Sequence, residues 1–155
     1  MVSTQQYERI GILSIEEVLH FIQKNFHNGG KKKEDIGGFQ VNTQSLRLRT
    51  FLKTGTKCPI CSIQAQFFAV ERSKGTLSYH LNLYGLDQNN TEVIFTHDHI
   101  LARSLGGFDN LSNTITMCGP CNWSKGKLER ILSFSENEEE IKAIHKQLEK
   151  YLIKS

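Results

Sequence analysis

Two cysteine pairs of identical spacing, Cys58-Pro59-Ile60-Cys61 and Cys118-Gly119-Pro120-Cys121, constrain this 155-residue chain more than any other feature. A Cys-x-x-Cys segment can turn tightly enough to present two sulfurs to one ion, and two such turns complete the tetrahedral set of soft ligands that zinc takes. The first ten residues show neither a basic segment leading into an apolar run nor a cleavage site. No apolar stretch approaches the ~20 residues a membrane helix needs. The expectation is a cytoplasmic protein with no membrane association, where paired cysteines hold metal and do not form disulfides. Four sulfurs leave no ligand position for water, so the ion is expected to be structural, tying the start of the intervening block to its end. The alternative, four free buried thiols, does not explain why the pairs flank one block.

Length and composition, 38% apolar and 23% charged, fit one ordinary globular domain whose modest core would benefit from such a staple. The net charge of +3 neither requires nor excludes a polyanionic partner.

Upstream, Ser14-Ile15-Glu16-Glu17 has the form of a capping box, and Val18, Phe21, Ile22 and Phe26 recur at helical spacing until Asn28-Gly29-Gly30. Lys31, Lys32 and Lys33 follow in an exposed segment, either a solvated loop or a phosphate contact. A second helix is predicted over 43–53, with Leu46, Phe51 and Leu52 on one side and Arg47, Arg49 and Lys53 elsewhere, ended by Gly55. Arg47 and Arg49 are candidate DNA contacts, or else part of a solvated face. Residues 66–95 read as strands. Phe67 to Val70 come first, then Tyr79, Leu81 and Leu83 alternating with His80 and Asn82, then Glu92 to Phe95 after an Asp87-to-Asn90 turn. This is a β-hairpin feeding into Thr96-His97-Asp98-His99. A helix is expected after Asn122, and a last one carries the stripe Ile141, Ile144, Leu148 and Leu152. That stripe suits packing on the domain or a homodimer.

The chemistry concentrates in residues 96–126. Asp98 and Asn122 offer hard oxygens of the kind magnesium or manganese takes, so a structural metal is expected to support a catalytic one. Asp98-His99-Ile100, Gly106-Gly107, Asn113 and Cys118-x-x-Cys121-Asn122-x-x-Lys125-Gly126 together resemble the HNH endonucleases, the zinc-bearing branch of the ββα-metal nucleases, and within it the small phage-encoded proteins. The resemblance covers roughly residues 58–127. It implies an α+β fold with a ββα-metal core and structural zinc, preceded by a β-hairpin and flanked by N- and C-terminal helices. The organisation expected is an N-terminal helical region (1–57), a nuclease domain (58–130) and a C-terminal helix (131–155).

The resemblance further implies that Asp98 and Asn122 bind a magnesium or manganese ion, that His99 is the general base, and that Asn113 holds the loop and orients the base. The products would carry 5′-phosphate and 3′-hydroxyl ends. Apart from any family, phosphodiester hydrolysis needs an activated water and stabilised leaving-group charge, which an imidazole and a hard cation supply. Arg103 and Lys125 are candidates for positioning phosphate, against a surface role. Trp123 is expected to pack beside the cysteines, with stacking on a base or sugar the alternative. Family members usually carry proline near the position of Ala102. On a regular strand His97 and His99 would share a face with Asp98 pointing away, so the pair 98 and 99 converges only if the strand bends. The rival function is a non-catalytic zinc ribbon that binds nucleic acid; it leaves His97-Asp98-His99 and Asn122 unexplained.

Overall fold

The structure is a computed structural model and describes residues 7–27 and 33–152, so Asn28-Gly29-Gly30, Lys31 and Lys32 lie outside the described residues. In chain order the elements are β1 (Tyr7–Leu13), α1 (Ile15–His27), β2 (Lys33–Ile36), β3 (Phe39–Asn42), α2 (Leu46–Thr54), β4 (Ala65–Ser73), β5 (Tyr79–Leu86), β6 (Glu92–His99), β7 (Thr114–Cys118), α3 (Gly119–Phe134) and α4 (Glu138–Leu148). The protein is α+β.

Strand β5 is the axis of the sheet because both its edges are used. Along one edge β4 pairs antiparallel from Ala65↔Gly85 to Arg72↔Tyr79, and β1 lies beyond it. The other edge is divided. β3, with β2 outside it, meets β5 in parallel at Val41↔Tyr79, whereas β6 takes the far end antiparallel from Tyr84↔Ile94 to Leu86↔Glu92. Between those contacts the Leu81 carbonyl accepts 2.9 Å from Arg47 Nη2 of α2. Past that point β6 leaves the sheet and pairs with β7, Phe95↔Cys118 through His99↔Thr114.

Alternation explains which faces are buried. Leu81 and Leu83 of β5 are buried while His80 is exposed, and Phe68 and Val70 of β4 join them in one core with Val18 and Ile22 of α1, Leu48 and Phe51 of α2, Phe95 and Met117. Asn25 crosses from α1 to the β2–β3 hairpin, donating to Glu34 Oε2 at 3.1 Å and Thr43 Oγ1 at 3.0 Å. Hydroxyls dock α2 on β7: Thr50 Oγ1 lies 2.7 Å from Thr114 Oγ1, and Thr54 Oγ1 lies 2.8 Å from Thr116 Oγ1.

Two expectations change. The helix predicted over 43–53 starts at Leu46, because the Thr43 hydroxyl is engaged by Asn25 and Ser45 Oγ caps the Leu48 amide at 3.2 Å. The segment expected to be helical through residue 57 also contributes β1, β2 and β3, which put it in the same sheet as the nuclease-like block. The C-terminal stripe packs on the domain, the first of the two roles expected of it: α4 lies against α3 with Ile144 buried and Leu148 against the core, while Leu152 is exposed. No helix among the described residues is long and apolar enough to cross a membrane.

Candidate active site

Cys58 opens a turn closed by Ser62 N donating to Cys58 O and Cys58 N donating to Ile63 O, both 2.9 Å, with Ser62 at positive φ. Cys118 ends β7 and Cys121 lies in the first turn of α3, after a proline that helix starts tolerate well. The four sulfurs lie within 4.8 Å of one another, and Cys61 Sγ is 3.6 Å from Cys118 Sγ. Zn–S bonds of about 2.3 Å put sulfurs roughly 3.8 Å apart around a tetrahedron, so this cluster fits zinc. A hydrogen bond from Cys118, with backbone amides, holds the Cys58 thiol down at about 4, and the same bond with burial pushes Cys118 up.

The β6–β7 ribbon stays regular through His99. His97 and His99 therefore share a face, their rings 5.5 Å apart, and Asp98 turns inward, 5% exposed. Burial pushes the Asp98 carboxyl up, and Lys125 Nζ, 2.6 Å from Asp98 Oδ2, pulls against it. Lys125 also donates to His99 O at 2.8 Å and lies 3.7 Å from Glu129 Oε2. The sequence left this ammonium between a phosphate contact and a surface role; instead it is 5% exposed and bonded within the chain, pinning α3 to the end of β6. The face-sharing does not separate Asp98 from the site. Asp98, His99, Asn122 and Arg103 line one depression of about 270 Å³, with His97 and Glu129 beside them. Asn122 Nδ2 donates to Thr96 Oγ1 at 2.7 Å.

Asn113 stands outside that depression and clasps the loop that follows His99. Its Nδ2 donates to Leu101 O at 3.0 Å and Phe108 O at 2.8 Å, its Oδ1 accepts from Leu101 N at 2.9 Å, and its carbonyl accepts from Ile100 N at 2.8 Å. A Cβ on Gly107 would run into the Leu101 carbonyl, which is why that turn needs glycine. The loop carries Asp109, whose Oδ1 is 2.7 Å from His99 Nε2. The His99 bond holds the Asp109 carboxyl below its usual range, so it accepts, Nε2 carries the proton and the lone pair sits on Nδ1. Arg47 and Arg49 diverge. Arg47 reaches the split edge of β5, whereas Arg49 lines a hollow with Gln23, Phe26 and Leu111, its Nε buried and without a partner among the described residues.

The sequence model of the HNH endonuclease family matches residues 86–128, which run from the end of β5 into α3. Those residues are an HNH domain. No curated protein and no solved structure matches the chain. The HNH match spans β6, the Asn113 loop, β7 and the first half of α3, and it contains one of the two cysteine pairs. Sequence reasoning passed over two groups here, Asp109 within the matched residues and Glu129 just past them. Glu129 carried a signal, its i+4 spacing from Lys125 on a helix. Asp109 carried none beyond its place after Gly106-Gly107. Trp123, expected to pack or else to stack on a base or sugar, is 60% exposed.

Proposed function

We propose that the chain is a metal-dependent endonuclease that hydrolyses phosphodiester bonds in DNA. The observation that carries this is the convergence of a carboxylate (Asp98), a carboxamide (Asn122), an imidazole (His99) and a guanidinium (Arg103) on one depression. The donor set suits a hard divalent ion: Asp98 and Glu129 supply two negative charges, Lys125 offsets one, and Asn122 adds a neutral oxygen. Magnesium or manganese held by Asp98 and Asn122 would supply electrostatic stabilisation of the leaving oxygen.

His99 takes the proton of the attacking water at Nδ1, because Asp109 fixes the opposite tautomer and keeps that lone pair free. Asn113 acts at one remove, holding Ile100 and Leu101 so that the ring stays where the strand delivers it. Arg103 is the cation in the depression and is assigned to the scissile phosphate. The cysteine cluster holds zinc and joins the two ends of this block.

The test is nicking of a supercoiled plasmid with magnesium or manganese. His99→Ala should lower the rate about 10²–10⁴-fold, the usual worth of a general base. Asp98→Asn should abolish cleavage while zinc content and the folded circular dichroism spectrum are unchanged; the amide oxygen still accepts from Lys125, whose charge Glu129, 3.7 Å away, continues to offset. Nicking that survives Asp98→Asn, or none from the parent protein with either ion, would overturn the assignment.

A further inference from the structure

The regular strand that puts His97 beside His99 also adds a third ligand group to the His99–Asp109 pair, one the hydrolytic chemistry does not use. One ligand atom each from His97, His99 and Asp109 lies within 4.8 Å of the other two. None of the three is buried, so an ion has access from solvent. Ligand atoms around a tetrahedral ion with bonds of about 2.0 Å stand roughly 3.3 Å apart. The His99–Asp109 pair is already at 2.7 Å, and exposed Asp109 sits on a surface loop, so side-chain rotation brings the set to that spacing without moving the strand. Two imidazoles and one carboxylate favour zinc and its late first-row neighbours over magnesium, which prefers an all-oxygen shell.

We infer that His97, His99 and Asp109 form a second transition-metal site, and that zinc bound there inhibits the nuclease. The inhibitory half rests on the endonuclease proposal; the binding half does not. A neutral imidazole has one proton and one lone pair. Whichever nitrogen of His99 takes the ion, the other carries the proton, and no lone pair remains to accept one from water. The ion thus switches off the base without touching Asp98 or Asn122. His97 contributes only a ligand.

The experiment titrates zinc-loaded, full-length protein with Zn²⁺ by calorimetry in the absence of DNA. One equivalent beyond the four-cysteine site is expected, and His97→Ala and Asp109→Asn should each weaken its binding at least tenfold while the melting transition stays put. Cobalt in place of zinc gives a d–d spectrum of nitrogen and oxygen ligation, distinct from that of the thiolate site. In the nicking assay, zinc should inhibit the magnesium reaction of the parent protein, with the inhibitory concentration raised at least tenfold in His97→Ala. Absence of the extra equivalent, or equal binding by parent and both variants, would overturn the site. Binding without inhibition of an active enzyme would overturn the regulatory claim. A parent protein that binds zinc here yet never nicks DNA would count against the nuclease assignment alone.

Discussion

Asp109 makes a contact whose consequences are confined to chemistry. It is exposed, so its loss should leave the fold alone, yet it determines which nitrogen of His99 bears the proton. Asp109→Asn is expected to lower kcat with KM for plasmid nearly unchanged, and rate against pH should report the altered base. Equal kinetics for parent and variant would remove Asp109 from the mechanism. Ala102 offers the opposite kind of test. Its φ of −56° already suits proline, and it stands where the resemblance led us to expect one. Ala102→Pro should therefore raise stability by about 0.4–1 kcal/mol through the unfolded chain, read as a higher urea midpoint with nicking retained. A lower midpoint would mean that the loop needs freedom at that residue.

At the scale of elements, the threonine pairs between α2 and β7 are what keep the ribbon seated on the core. Thr50 and Thr116 are fully buried, and each hydroxyl has a partner on the other element or its cap. Thr50→Val should cost about 1–3 kcal/mol in chemical denaturation, because the shape survives while Thr114 loses its partner. The double change Thr50→Val, Thr114→Val should recover part of that loss; a strictly additive result would deny the coupling. These pairs were not legible in the sequence, since nothing local distinguishes a threonine that bridges elements from one facing water. The alternation of Leu81 and Leu83 in β5 was legible, as was the capped helix after Ser14. Strands β2 and β3 were not read, being four residues each, although Gly37-Gly38 at positive φ was the available turn signal. Asp98, His99 and Asn122 were readable as a motif. The burial of Lys125 was not, because it depends on α3 crossing the end of β6.

For the whole molecule the cysteine cluster, with the proposed zinc bound, would be the long-range tie. Cys61 and Cys118 are 57 positions apart, and joining such a loop is worth roughly 4 kcal/mol in the chain-entropy picture, a large share of the ~5–15 kcal/mol that holds a domain folded. Exhaustive chelation is therefore expected to abolish the cooperative melting transition, and added zinc to restore it along with nicking. A transition unchanged after chelation would show that the thiols hold nothing essential.

The divided edge of β5 makes the β6–β7 ribbon a lever. Its root is three residue pairs, Tyr84↔Ile94 to Leu86↔Glu92, and its tip carries His97 to His99 beyond the last of them. If DNA binds there as proposed, load on that tip would pass to the root, with α2 packed underneath. Amide exchange at positions 92–94 should consequently slow when DNA engages, and exchange left unchanged would deny the lever.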